Sequence, residues 1–140
     1  GASVSADVPR EPGLPRRVLV VEDNAVNQMI TRGLAERLGY RVDVAANGLE
    51  AVEMVQRIHY DIVLMDCQMP EMDGFEATRA IRRWEIGQGR SARIPIVAVT
   101  ASAVPGVEVG CLECGMDAVL KKPLRQVELA GALEAIRPVG

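Results

Sequence analysis

Four short and nearly continuous apolar runs, Val18–Val21, Ile62–Met65, Ile96–Val99 and Ala118–Leu120, are separated by segments with helical spacing. Runs of that length, rich in β-branched residues and without polar alternation, suit strands buried on both faces, as in a parallel sheet. Arg41 to Ala45 adds a fifth, alternating strand. Between them, Asn24 opens a helix with an apolar stripe of Val26, Met29, Ile30, Leu34 and Leu38, stopped by Gly39. Asn47 with Glu50 forms a capping-box pattern ahead of Val52, Val55 and Ile58, and Asp73 caps a helix bearing Phe75, Thr78 and Ile81. A fourth helical segment, Val104 to Cys114, is weak, because Gly106 and Gly110 each cost about 1 kcal/mol against alanine. Leu129, Leu133 and Ile136 form the inward stripe of a last helix that Pro138 ends. The pattern predicts an α/β fold: a (βα)5 flavodoxin-like doubly wound sandwich around a five-stranded parallel sheet.

Composition bounds the function. The chain has 140 residues, enough for one domain, and a net charge of −3 with both signs spread along it. That balance leaves no electrostatic footprint for nucleic acid. No apolar run approaches the roughly 18 residues of a membrane span, and no secretory h-region opens the chain. The expectation is therefore a cytoplasmic domain, monomeric, without direct membrane contact of its own. Cys67, Cys111 and Cys114 do not resemble a disulfide framework. Cys111-Leu-Glu-Cys114 has CxxC spacing but lies late in a helical segment, so core packing is the reading for Cys111. His59 is the only histidine and precedes a strand on the edge away from the strand ends of interest, so a metal or phosphotransfer role is not expected of it and any histidine donor must come from elsewhere. Residues 1–15 hold three prolines and no apolar period, and read as a flexible linker, or in part as residues appended for expression; the domain proper runs over 16–138.

The chemistry sits at the strand ends. Glu22-Asp23 follows the first strand, Asp66 the third, Thr100 the fourth and Lys122-Pro123 the fifth. In an open parallel sheet those carboxyl ends share one crevice, where ligands bind. Two unit charges about 4 Å apart cost roughly 4 kcal/mol at an effective dielectric of 20. Three clustered carboxylates therefore call for a cation, and Mg2+ suits an oxygen donor set. Asp23 and Asp66 are the expected direct ligands, with Glu22 acting through water and the main-chain carbonyl of Gln68 as a further donor. Asp66 is also the expected nucleophile, able to form an acyl phosphate. Lys122 and Thr100 are placed to neutralise and hydrogen-bond phosphoryl oxygens. A cis bond before Pro123 would aim Lys122 inward, leaving Lys121 toward solvent or the last helix. Only Lys121 and Lys122 among sixteen basic residues are lysines. Gln68 and Ser102 flank the pocket and are expected to modulate the lifetime of a phosphoryl group.

Val-Leu-Val-Val-Glu-Asp-Asn, Met-Asp-Cys-Gln-Met-Pro-Glu-Met-Asp-Gly, Ile-Val-Ala-Val-Thr-Ala and Leu-Lys-Lys-Pro-Leu together resemble the response-regulator receiver domain. The resemblance implies strand order 2-1-3-4-5 and transfer of a phosphoryl group from a partner phosphohistidine onto the position of Asp66. It assigns magnesium binding to Glu22 and Asp23, and phosphoryl sensing to Thr100 and Lys122. The chain would then catalyse its own phosphorylation and dephosphorylation. The finer pattern, with Gly-Met-Asp-Ala-Val-Leu-Lys-Lys-Pro-Leu, resembles receivers at the C-terminal end of hybrid sensor histidine kinases, whose parent chains can be membrane-attached. The expected partner is a phosphohistidine-bearing kinase or phosphotransfer domain. A freestanding single-domain regulator is the alternative. A haloacid-dehalogenase-like phosphatase would need an acid at Gln68, and a flavodoxin-type binder would be repelled by Glu22-Asp23. One position departs from the family pattern: an aromatic residue usual three places before the lysine is here Val119. A valine cannot swing a ring, so the expectation is a phosphate relay rather than a Thr100-coupled aromatic switch.

Overall fold

Strands and helices alternate along the chain as the apolar runs predict, in a computed structural model that describes residues 16–67, 73–89, 93–101 and 106–135. The elements are β1 (Arg17–Val21), α1 (Ala25–Arg37), β2 (Arg41–Ala45), α2 (Gly48–Arg57), β3 (Ile62–Asp66), α3 (Gly74–Gly87), β4 (Ile96–Thr100), α4 (Val107–Cys114), β5 (Ala118–Lys121) and α5 (Gln126–Ala135). All pairings are parallel and the sheet order is β2-β1-β3-β4-β5. The linker reading of 1–15, the start of the fourth helix at Val104, and Ile136 and Pro138 lie outside the described residues.

Period-two alternation divides the strand side chains between two cores. Leu19, Val21, Val63, Met65, Ile96 and Ala98 face one side, covered by α2, α3 and α4 through Ala51, Val55, Ala77, Ile81 and Cys111. Val18, Val20, Ile62, Leu64, Val97 and Val99 face the other, covered by α1 and α5 through Ala35, Leu129 and Leu133. The predicted caps form: Asn24, Asn47 and Asp73 accept from the main-chain N of Asn27, Glu50 and Glu76 at 3.0, 2.9 and 2.9 Å. Each such cap stabilises its helix by about 1 kcal/mol. Glu50 reaches back to the N–H of Ala46, one residue before the cap, at 2.9 Å. Gly39, with φ +94°, ends α1 in a conformation that side chains with a Cβ rarely adopt.

The apolar stripe of α1 divides: Leu34 and Leu38 pack against the core as expected, but Val26, Met29 and Ile30 are 60%, 69% and 51% exposed, and Thr31 and Ala35 are the helix's buried residues. The helix is rotated so that small residues meet β1 and β2, which leaves a row of large apolar side chains on the surface. Lys121 takes the solvent-facing of its two expected directions, its exposed ammonium lying 3.9 Å from Glu108 of α4.

At the sheet edge opposite the strand carboxyl ends, an ionic network that buries Glu85 and half-buries Arg82 clamps α3 to β4 and β5. Arg82 donates to Glu85 (2.8 Å), Asp117 (2.9 Å) and the carbonyls of Ile94 (2.8 Å) and Gly115 (2.9 Å). Asp117 also accepts from Arg93 (2.8 Å) and from the N–H of Ile96 (2.8 Å). Removing one partner of such a network strands the others without compensation. We expect Arg82→Ala to lower unfolding free energy by about 3 kcal/mol in urea titrations, against no more than about 0.5 kcal/mol for the exposed Arg83→Ala.

Candidate functional site

β1 ends at Val21, so Glu22 and Asp23 leave the sheet at its carboxyl edge before α1 begins. Glu22 is 4% exposed and fixed on three sides. Its Oε2 accepts from the Asn24 N–H at 3.1 Å, and its carbonyl accepts from Gln28 Nε2 at 2.6 Å. Its Oε1 accepts from Lys122 Nζ at 3.0 Å. Asp66, the last residue of β3, is likewise 4% exposed and accepts from Lys122 at 3.4 Å. Thr100 closes β4 at 1% exposure, and its carbonyl accepts from the Lys122 N–H at 2.9 Å. The Lys122–Pro123 bond is cis, as expected.

Electrostatics follow from this placement. Burial pulls the Lys122 ammonium toward neutrality, but the Glu22 hydrogen bond and the charges of Asp66 and Glu22 outweigh it, so its pKa lies above the usual lysine value. The ammonium therefore stays charged throughout the physiological range. One positive charge faces three negative ones, because Glu22, Asp23 and Asp66 each offer an oxygen and these oxygens lie within 4.8 Å of one another. A hard oxygen set around uncompensated negative charge fits a divalent cation of the magnesium type. Asp23 is exposed, which gives an ion a path from solvent.

The site therefore gathers Glu22, Asp23, Asp66 and Lys122, with Thr100 on the neighbouring strand, one residue beyond the register partner of Asp66. Gln68 and Ser102 lie outside the described residues. Val119 pairs in register with Ala98 and packs half-buried on the core beneath α4. Two further residues build the site without having been singled out in the sequence. Gln28 holds the Glu22 carbonyl from the first turns of α1, and its only sequence signal was its position on the helix that follows the acids. Gly74 lets the start of α3 press against the end of β3: a Cβ there would sit 2.4 Å from the Asp66 carbonyl and 3.0 Å from Cys67 Cα. Burial also pushes the Cys67 thiol well above its ordinary pKa.

A family model described as the response regulator receiver domain matches residues 18–134. The chain belongs to that receiver-domain family. Among its relatives, hybrid signal transduction histidine kinase B of Dictyostelium discoideum is 45% identical over 81% of this chain and 6% of its own length. Sensor protein GacS of Pseudomonas syringae pv. syringae is also 45% identical, over 81% of the chain and 12% of its own. The chain spans only a small part of the curated relatives it matches, 6% of one and 15% of another. The receiver domain of sensor histidine kinase PA1611 from Pseudomonas aeruginosa PAO1, solved with magnesium in its active-site cleft, superposes with TM-score 0.77. It is 43% identical, covering 86% of this chain and 96% of that one. A chain in the co-crystal structure of the Saccharomyces cerevisiae phosphotransfer protein Ypd1 with the Ssk1 receiver superposes with TM-score 0.78 at 31% identity, covering 86% and 92%. Among the described residues no helix is long and apolar enough to cross a membrane.

The close approach at Gly74 yields a test of how the end of β3 is held. Gly74→Ala should destabilise the receiver by about 1–3 kcal/mol, since main chain rather than a flexible side chain must move. Gly131→Ala on α5, where a new Cβ meets nothing within 4 Å, should instead stabilise it by about 0.5–1 kcal/mol. Paired denaturant curves measure both.

Proposed function

We propose that this receiver accepts a phosphoryl group on Asp66 from a phosphohistidine of a partner kinase or phosphotransfer domain, with Mg2+ held by Glu22, Asp23 and Asp66. The observation that carries this reading is the bridge from Lys122 to Glu22 and Asp66, which puts one ammonium over a buried acid pair at the strand ends. Asp66 attacks phosphorus while the P–N bond to the partner imidazole breaks, and the leaving nitrogen keeps that electron pair. Lys122 moves from its carboxylate partners onto the charge of the incoming phosphoryl oxygens. The Thr100 hydroxyl donates to another of them, and the carbonyl of Thr100 keeps Lys122 anchored through its main chain. A bound Mg2+ supplies the remaining positive charge on the phosphoryl oxygens. Gln28 and Asn24 position Glu22 without touching the reacting atoms. Gln68 and Ser102 set phosphoryl lifetime in this reading.

The context we infer is a hybrid sensor histidine kinase, because a hybrid signal transduction histidine kinase and a sensor protein each match at 45% identity, whereas a chemotaxis protein resembles the chain at 28%. Val119 lacks a ring to report phosphorylation outward, which favours passing the group along a relay.

The partner surface follows from the exposed row on α1. Val26, Met29 and Ile30 are exposed on one helix, and Ile30 with Asn27, Thr31, Lys122, Pro123 and Leu124 lines a groove of about 250 Å3. That groove reaches the same lysine that contacts Asp66, so an apolar helix face seated there would bring a histidine to the acceptor.

Two measurements test the chemistry and the docking separately. With acetyl phosphate and Mg2+, intact mass should show one phosphoryl adduct on the native chain, none on Asp66→Ala, and none after chelation with EDTA. An unchanged adduct in the variant would mean the acceptor is elsewhere. Met29→Asp with Ile30→Asp should leave acetyl phosphate labelling intact while slowing transfer from a phosphohistidine domain by about tenfold or more, the effect of losing roughly 1.4 kcal/mol of binding. Equal slowing of both reactions would refute the docking surface.

A further inference from the structure

The residue after the phosphoacceptor makes a contact that phosphoryl transfer does not use. Cys67 Sγ lies 3.5 Å from Cys111 Sγ, joining the end of β3 to α4 across the core, and both thiols are buried. The pair is 44 residues apart in sequence, so the juxtaposition is a product of the fold. Cys114 stands apart from it, half-buried, with its thiol donating to the Cys111 carbonyl at 3.1 Å.

The two sides of this pair differ in rigidity. Cys67 is fixed through its main chain: its N–H donates to the Val99 carbonyl at 3.2 Å, its carbonyl accepts from Gly74 at 3.4 Å, and Gly74 leaves no space above it. Cys111 rides on the shortest helix among the described residues, eight residues long. That helix has Gly110 inside it, starts at Gly106 with no side-chain cap, and turns Val109 and Leu112 to solvent. Few buried contacts and an interior glycine mark α4 as a segment that opens early.

We propose that Cys67 and Cys111 form a reversible disulfide under hydroperoxide, a modification that ties α4 to the phosphoacceptor strand. Opening of α4 brings the Cys111 thiol to solvent. Its sulfur attacks the O–O bond and takes one oxygen as a sulfenic acid, and the thiol proton leaves with the alkoxide as an alcohol (or as water, from hydrogen peroxide). When α4 closes, Cys67 sulfur displaces the hydroxyl group from Cys111, which departs with the Cys67 proton as water. Two thiols lose two electrons and one hydroperoxide gains them. Closing a 3.5 Å contact to an S–S bond of about 2.0 Å needs only a small inward shift of α4. The bond then holds α4 closed against the end of β3. A dithiol reductant reverses it by exchange.

The proposal concerns thiol chemistry alone, so its test is read independently of phosphorylation. The native chain is exposed to hydrogen peroxide at neutral pH without denaturant, remaining thiols are alkylated, and digests are mapped by mass spectrometry with and without dithiothreitol. Free thiols should fall from three to one, with Cys67 and Cys111 in one cross-linked peptide and Cys114 alkylated. Amide exchange of α4 should slow in the oxidised protein and return after dithiothreitol. Cys114→Ser should form the same bond. A Cys111–Cys114 bond, oxidation confined to Cys114, or three thiols untouched would each overturn the proposal.

Discussion

One ammonium set against a buried acid pair is the constraint around which this receiver is organised. Lys122 reaches Glu22 and Asp66 only because β5, β1 and β3 end at the same edge of the sheet. Without it, two nearly inaccessible carboxylates would face each other in the low-dielectric end of a core, at a cost of several kcal/mol. The fold is thus coupled to the charge that phosphoryl chemistry needs. In the proposed reaction an anion arriving on Asp66 would find an ammonium already present, and a divalent cation would find oxygens already assembled.

The supporting architecture divides into a rigid half and a looser half. β1, β3 and β4 are buried on both faces, and the Arg82–Asp117–Glu85 network locks the opposite edge where β4 and β5 begin. Such a frame holds the acid trio and Thr100 in place while the helices around it differ in firmness. α3 is pressed against the Asp66 carbonyl through Gly74, whereas α4 is short and interrupted by glycine. Val119 lies between these regimes, partly buried against the core and paired in register with Ala98. The firm side suits the chemistry proposed at Asp66, and the loose side suits the thiol chemistry proposed at Cys111.

Much of this was legible in the sequence because the relevant signals are local. Continuous β-branched runs gave the strands, Asn24, Asn47 and Asp73 gave the helix starts, and the residue closing each run gave the site. The order of strands came from family resemblance, since periodicity alone cannot say which strand neighbours which. The first half of α1 departs from its spacing for a physical reason: Val26, Met29 and Ile30 have the spacing of a core stripe, and spacing alone does not say whether the stripe meets the sheet or the surface. The inward face uses Leu34 and Leu38 of that stripe together with Thr31 and Ala35, residues with no strong hydropathic signal. Arg82 could not be picked from fourteen arginines, because its partners lie up to 35 residues away. The Cys67–Cys111 contact likewise exists only once β3 and α4 have met.

A crystal structure of the chain grown with Mg2+ and beryllium trifluoride, a phosphoryl mimic, tests the central claim most directly. The account predicts the fluoroberyllate on an Asp66 oxygen, the cation shared by Asp23 and Asp66 with Glu22 joined through water, and the Lys122 ammonium drawn onto the anion. Electron density showing Asp66 unmodified with the cation bound elsewhere, or Lys122 turned to solvent beside an occupied Asp66, would contradict it.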